Sequence, residues 1–254
     1  MKTIRFVLPI ACLIAACQLG GCGPRNAYRY DAHHLGPARD MVAASIESAG
    51  GLDPWRKVGR IHATALITTY DEEFQPYVNR QELTIDLRRG RIASKAKTAN
   101  GHWRAVVRDS GKYKLDTSGA GTSVVDAKQI ISALVRILHR LRGPLNLLGG
   151  DEHPTAPTPV RIDGRDLLRV ALKTPAKRAT AYYFETTSGN MLRMLTDGEG
   201  VPGGKGTITC YEEYQMLPNG VTFPKRIKVS TFGRHVLTGR SPVLDVVLSN
   251  VRFN

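Results

Sequence analysis

The chain of 254 residues has few cysteines, and three of its four lie close to the amino terminus. Cys12, Cys17 and Cys22 precede all the segments with a folding pattern, which leaves Cys210 alone in the rest of the chain. A disulfide framework needs paired cysteines within the folded part, so this class of small stapled protein is excluded. We interpret Cys210 as a buried strand residue.

Long apolar runs are also missing. A transmembrane helix needs about 20 consecutive apolar residues, and no segment comes near that length. The run from Phe6 to Ala16 follows Lys2 and Arg5 and precedes small residues, an arrangement typical of a secretory signal. We therefore expect an exported protein whose mature chain does not span a membrane.

Two segments of the leader resemble a lipobox, in which an aliphatic residue and two small residues precede a cysteine that is diacylated on its sulfur. They are 14–17 (IAAC) and 19–22 (LGGC). Cys22 is favoured for lipidation because it gives the usual leader length and precedes a flexible Gly-Pro-Arg exit, with Cys17 as the alternative. Cleavage without a lipid and an uncleaved anchor also remain open. Gly23, rather than Asp, after Cys22 favours the periplasmic face of the outer membrane.

Patterns that carry catalysis or bind cofactors are absent or incomplete. Residues 198–203 match G-x-G-x-x-G, but the dinucleotide fingerprint requires a helix after the loop, and a strand pattern follows here. There is no G-x-S-x-G elbow and no H-E-x-x-H. The pair 33–34 (HH) and the cluster 151–153 (DEH) lack a second group of metal ligands. We expect no catalytic residue, cofactor or metal; a hydrolase remains only a distant alternative.

The charge balance is strongly basic, with 36 Lys and Arg against 22 Asp and Glu, a formal net charge of +14. The basic residues are dispersed over several segments: Arg88, Arg89, Arg91, Lys95, Lys97, Arg136, Arg140, Arg142, Lys225, Arg226 and Lys228. Such a surface attracts anionic membrane headgroups, although an ordinary solvated surface would look the same. No basic-aromatic motif indicates nucleic acid. A monomer is expected.

Hydrophobic periodicity predicts two short helices followed by two groups of antiparallel strands. The helices span residues 38–49 and 53–58, and the turns between strands are short enough for hairpins. The predicted strands are 61–70, 77–87, 91–98, 102–108, 112–116, 160–162, 167–173, 179–185, 191–195, 207–215, 223–232, 235–238 and 243–253. So many strands favour a sheet that curls or closes.

A helix is predicted between the two groups of strands, within residues 124–148, ending at Gly143-Pro144. Its apolar stripe comprises Ile130, Ile131, Leu134, Val135, Leu138 and Leu141, and Asp126, Lys128, Arg136 and Arg140 are expected outside that stripe. Because the helix lies between the strand groups, it should cross the sheet and cover its apolar face. It would be either a plug that fills the core or a lid over a cavity.

The carboxyl-terminal half resembles the LolA/LolB-like superfamily of periplasmic lipoprotein carriers and related outer-membrane lipoproteins. The segments that carry the resemblance are 163–170 (DGRDLLRV), 182–193 (YYFETTSGNMLR) and 211–227 (YEEYQMLPNGVTFPKRI). The resemblance covers about Ala38 to Phe253 in the order of elements. It implies a strongly curved antiparallel sheet, a half-barrel of the mainly β class with flanking helices, whose concave face holds acyl chains.

The residue pattern leads us to expect residues 1–22 to be the signal peptide and lipobox and 23–36 a flexible tether, and the resemblance implies that 37–254 form one half-barrel domain. The expected cavity lining is Trp103, Val107, Leu134, Leu138, Leu141, Val170 and Phe184. The function implied is non-catalytic binding of lipid, or of the acyl chains of a lipoprotein, by a protein anchored in the cell envelope. A soluble carrier would not itself be lipid-anchored, so the expected anchor departs from the carriers of this superfamily. The alternative function is that of an envelope scaffold or interaction protein with a filled core and no ligand.

Overall fold

The structure is a computed structural model. It describes residues 34–71, 73–86, 89–98, 101–108, 112–117, 124–141, 143–148, 153–173, 180–197, 206–232 and 241–253. The predicted leader, both lipoboxes and nearly all of the predicted tether lie outside these residues, as does the predicted strand 235–238. The division into leader, tether and domain stays a prediction, although Leu35 is already fully buried.

Three α-helices are described: α1 (Arg39–Ser48), α2 (Leu52–Lys57) and α3 (Val124–Leu141). Short 3₁₀ helices precede α1 at Gly36–Ala38 and follow α3 at Gly143–Leu148. The helix predicted within 124–148 therefore ends at Leu141, and Gly143, with φ of +47°, starts the tighter turn. None of the described helices is long and apolar enough to cross a membrane.

The described strands form one antiparallel sheet. In chain order they are β1 (Ile61–Tyr70), β2 (Pro76–Asp86), β3 (Arg91–Thr98), β4 (Gly101–Arg108), β5 (Tyr113–Asp116), β6 (His153–Pro154), β7 (Thr158–Ile162), β8 (Arg165–Lys173), β9 (Thr180–Glu185), β10 (Met191–Asp197), β11 (Gly206–Met216), β12 (Thr222–Phe232) and β13 (Ser241–Phe253). The order across the sheet is β5-β4-β3-β2-β1-β13-β12-β11-β10-β9-β8-β6, with β7 also paired to β8. Strand β13 thus returns to β1 and joins the two strand groups.

The sheet bends at irregularities in its ladders. The register shifts between His62 and Thr64 of β1 against β13, between Met191 and Arg193 of β10, and between Val229 and Ser230 of β12. Such bulges increase local twist and bend a strand. Within the part of the chain described, the edge strands β5 and β6 do not pair with each other, so the sheet stays open. The predicted fold, a curved antiparallel half-barrel crossed by a helix, is confirmed.

The main core lies between the inner face of the sheet and the helices. Alternation along the strands supplies it, as expected: Leu83 and Ile85 of β2 and Trp103 of β4 are buried, while Glu82 and Arg104 are exposed. A second, smaller cluster on the opposite face comprises Ile162, Leu167, Ala181 and Tyr183. The inner face therefore carries most of the apolar packing, and α3 lies on that face.

Candidate functional site

Helix α3 runs across the inner face of the sheet from one strand group to the other. It packs against β3 and β4, and at its carboxyl-terminal end the Tyr211 hydroxyl of β11 donates a hydrogen bond to the Arg140 carbonyl, 3.1 Å away. The last carbonyls of a helix lack partners within the helix. Tyr211 therefore holds the end of α3 on the distant half of the sheet.

The residues predicted to line a cavity all lie in the main core cluster. Each is 0 to 3% exposed: Trp103, Val107, Leu134, Leu138, Leu141, Val170 and Phe184. A side chain that faced a water-sized void would expose area to it, so these side chains lie in a packed core and do not line an open chamber. The structure places the predicted lining together on the helix and the sheet, and its role in ligand binding stays a prediction.

A narrow cleft remains where α1, the end of α3 and the strands β10 to β12 meet. Its volume is about 30 Å³. That is room for about one water molecule, whereas ligand pockets usually reach 300 to 1,000 Å³. Leu141 and Met191 form part of its apolar wall, and Ser45 and Asn190 contribute polar atoms. The cleft is a seam between the helices and the sheet, too small for an acyl chain in this conformation.

The polar groups along this cleft are buried and only partly satisfied. The Ser45 side chain is 1% exposed, and its Oγ has no hydrogen-bond partner among the described residues. The Tyr214 hydroxyl donates to the Met191 carbonyl. Burial raises the pKa of Tyr211 and of Tyr214 above the ordinary value of 10, so both hydroxyls remain donors at neutral pH.

Arg140 is a charged residue that lies in the interior of the protein. It is only 6% exposed. Its Nε donates to Thr209 Oγ1 at 2.7 Å, its Nη2 to Thr207 Oγ1 at 3.3 Å, and its Nη1 to the Arg136 carbonyl at 3.1 Å. The pKa of Arg140 is lowered to about 10, mainly because burial removes hydration from the charged form; Tyr211 acts to raise it, and the charge on Arg136 acts to lower it. Arg140 therefore stays charged at neutral pH inside the protein.

The prediction that Arg140 lies outside the buried stripe of α3 is wrong. At 3.6 residues per turn, Arg140 lies about 20° around the helix from Ala133, which is seven residues earlier and also buried. Its position on the buried side of the helix was the available signal, but helical spacing does not distinguish an inward arginine from one that extends into solvent.

The outer face of the sheet carries a polar groove across β2, β3 and β4. Its volume is about 350 Å³. The charged side chains that line it are Arg60, Glu82, Asp86, Arg91, Lys95 and Arg104. Cations outnumber anions, and the Nε of Arg91 is buried without a hydrogen-bond partner in the described part of the chain. Part of the dispersed positive charge is thus gathered on this face.

Cys210 differs from its predicted environment. It is half-buried on the outer face of β11, opposite Arg193 of β10 in the ladder. Burial raises the pKa of its thiol above the ordinary value, and the positive charge of Arg193 acts in the opposite direction. The alternation of β11 sends Thr209 and Tyr211 inward instead, so the interpretation of Cys210 as fully buried is corrected.

Similarity to known proteins lies in the structure rather than in the sequence. No protein-family model matches the sequence, and no curated protein matches it. A LolA superfamily protein from Nitrosomonas europaea superposes with a TM-score of 0.51 at 12% identity, over 86% of this chain and 94% of that chain. A DUF1329 family protein from Desulfovibrio piger gives 0.46 at 7% identity, over 86% of this chain and 93% of that one.

An outer membrane lipoprotein-sorting protein domain from Vibrio parahaemolyticus gives a TM-score of 0.42 at 10% identity, over 84% of this chain and 93% of that chain. The Nitrosomonas likeness extends over nearly the whole of both chains. The protein therefore has a LolA-like fold, as the resemblance of its carboxyl-terminal half implied. At this level of identity the likeness concerns the fold alone.

Proposed function

We propose that this protein is an anchored lipoprotein of the cell envelope that binds lipid, or the acyl chains of a lipoprotein, without catalysis. The observation that carries the proposal is α3: an amphipathic helix lies across the apolar inner face of an open sheet. Side-chain contacts hold such a helix in place, and no strand ladder fixes it. Its contacts with β3 and β4 can open without breaking a strand ladder, while Arg140 and Tyr211 keep its carboxyl-terminal end on β11.

The energy of such an opening is comparable with the gain from an acyl chain. Opening of α3 would expose at most four large apolar side chains that are now buried, those of Leu134, Ile137, Leu138 and Leu141. At about 1.5 to 3 kcal/mol each, the cost is roughly 6 to 12 kcal/mol. A buried chain of roughly 16 carbons contributes about 0.8 kcal/mol per CH₂, or about 12 kcal/mol in total. An acyl chain can therefore replace the helix contacts.

Trp103 provides the test, because it is one of two tryptophans and packs where the acyl chain would lie. The other, Trp55, contacts Phe223 beside the cleft. A brominated fatty acid quenches tryptophan by contact. We expect quenching in Trp55→Phe, which retains Trp103, and little in Trp103→Phe, which retains Trp55. Absence of quenching in both variants, with no lipid adduct in native mass spectrometry, would contradict lipid binding.

A second candidate function, an envelope scaffold with a filled core, is favoured by the burial of all the predicted lining residues. In that case the inner face only stabilises the fold, and the outer face meets a partner. Leu138→Asp separates the two hypotheses in a variant that stays folded. A lipid adduct that disappears in this variant supports binding behind α3, and a chain that never carries lipid supports the scaffold.

The proposed anchor is tested separately. Cells that express the chain are labelled with palmitate, and incorporation is compared between Cys22→Ser and Cys17→Ser. We expect Cys22→Ser to abolish labelling and Cys17→Ser to retain it, and the opposite pattern would assign the lipid to Cys17.

The polar groove on the outer face of the sheet is proposed to face anionic headgroups. Binding to phosphatidylglycerol vesicles should fall with added salt, because exposed charges are screened.

A further inference from the structure

The interior beneath α3 contains a positive charge, and no carboxylate in the described part of the chain pairs with it. The charge is that of Arg140, which contacts two threonine hydroxyls and a backbone carbonyl. Buried charges in proteins are normally paired. Two neutral hydroxyls orient a guanidinium, but they do not neutralise it.

A second arginine increases the positive charge at the same place. Arg136 lies one helical turn before Arg140, and residues four apart share a face of the helix. Burial lowers the pKa of Arg136 as well, so both guanidinium groups have lost part of their hydration. Two like charges at this spacing destabilise a helix unless an anion offsets them. The pair therefore favours a negative group from outside the described chain.

The guanidinium of Arg140 also retains donor capacity. Arginine has five N–H groups, and three of them are used in the described bonds. The remaining two N–H groups belong to Nη1 and Nη2. These two nitrogen atoms are bonded to the same carbon, and together they can donate two hydrogen bonds to one oxyanion. Thr207 and Thr209 fix the side chain from the β11 side, so this fork is already oriented before any ligand arrives.

We infer that Arg140, assisted by Arg136, binds the oxyanion headgroup of an acyl lipid, a carboxylate or a phosphate, between α3 and β11. This inference rests on the proposed lipid binding and names its ligand class: an anionic amphiphile rather than a neutral one. The acyl chain would follow the apolar stripe of α3 from Leu141 toward Leu134. The headgroup would thus lie inside the protein, at the end of α3 that Tyr211 holds on the sheet.

The test uses the full chain, released from mild detergent in native mass spectrometry, with equal concentrations of oleate and neutral monoolein. We expect the wild type to bind oleate at least tenfold more tightly, and Arg140→Met to lose most of that preference while it still binds monoolein. Methionine keeps the apolar stem of the side chain and removes a buried charge that no described carboxylate offsets, so this variant should fold. Arg140→Lys, which keeps the charge without the fork, should fall between them.

The control is Arg193→Met on the outer face, where Arg193 already pairs with Asp163. It should leave the preference for oleate unchanged. A preference that survives in Arg140→Met, or equal binding of both lipids by the wild type, would overturn the inference while lipid binding stands. If neither lipid binds, the proposed function fails first. Stabilisation of the wild type by inorganic phosphate alone, lost in Arg140→Met, would mean a site for a free anion and would also overturn it.

Discussion

Replacement of Gly50 by alanine should destabilise the fold by disrupting the contact between the amino-terminal helices and the sheet. Gly50 follows α1 with φ of +101°, a conformation that side chains rarely adopt. A Cβ atom there would overlap the carbonyl oxygen of Gly220 and lie 2.9 Å from its carbonyl carbon. Those atoms are backbone in the turn between β11 and β12, so no side chain can move aside to relieve the overlap.

The cost of this substitution has three parts. Backbone strain at positive φ adds about 1 to 3 kcal/mol. Displacement of the turn breaks the hydrogen bond from Thr222 N to the Ala49 carbonyl, 2.9 Å long, at about 0.5 to 1.5 kcal/mol. Forced overlap in a packed region adds about 1 to 3 kcal/mol. The free energy of unfolding should therefore fall by roughly 2.5 to 7.5 kcal/mol, a large share of the usual 5 to 15 kcal/mol.

Urea unfolding followed by tryptophan fluorescence measures this loss, because Trp55 donates from Nε1 to Ala49 O and lies beside the affected turn. Gly164→Ala is the matched control. Gly164 has φ of +75°, and a Cβ there would have nothing within 4 Å, so it should cost only the backbone strain. If the two variants lose the same stability within about 0.5 kcal/mol, the close approach of the two turns does not stabilise the fold, and the reasoning is refuted.

Other predictions concern packing, thiol reactivity and alkaline pH. Leu138→Ala should reduce the free energy of unfolding by about 2 to 5 kcal/mol, whereas Val135→Ala, at a position 44% exposed, should change it by less than about 0.5 kcal/mol in the same urea assay. Alkylation of Cys210 at pH 8 should be slower in the folded chain than in urea, because burial raises the pKa of its thiol; equal rates would contradict this. Because the pKa values of Tyr211 and Tyr214 are raised, the unfolded chain releases these protons first, so stability should fall as pH rises above about 10. The fall should be smaller in Tyr211→Phe and Tyr214→Phe, and an unchanged pH profile would remove these hydroxyls as its cause.

Local pattern predicted the regular elements accurately. Strands β1 and β3 have the predicted bounds, and the other predicted strands that lie within the described residues differ by a few residues at their ends. Strong alternation and short turns specify such strands without help from distant residues. Strand β6 was not predicted, since His153–Pro154 has two residues and no alternation; its pairing with Leu172 and Lys173 makes it a strand.

The side chains within the candidate site were predicted less completely. Apolar residues of α3 and the sheet are recognised as a group because their types recur at helical and strand spacing. The prediction that Val135 belongs to the buried stripe is wrong, since it is 44% exposed. Helical spacing places Arg140 outside that stripe. Its burial depends on Thr207 and Thr209, which lie more than 65 residues later in the chain and provide the hydroxyls that its guanidinium needs. Sequence spacing cannot reveal a partner at that separation.

The sequence by itself determined the leader pattern, the alternating strands, the crossing helix and the LolA-like order of elements, because each depends on neighbouring residues and on periodicity. The tertiary structure decided how closely α3 packs on the sheet, that the predicted lining is filled, and that Arg140 is buried with no carboxylate of the described residues paired to it. The buried arginine lies where the end of α3 meets β11, and the filled lining extends along the sheet from β4 to β9. Volume and charge at such a contact are set by residues far apart in the chain, which only the folded sheet brings together.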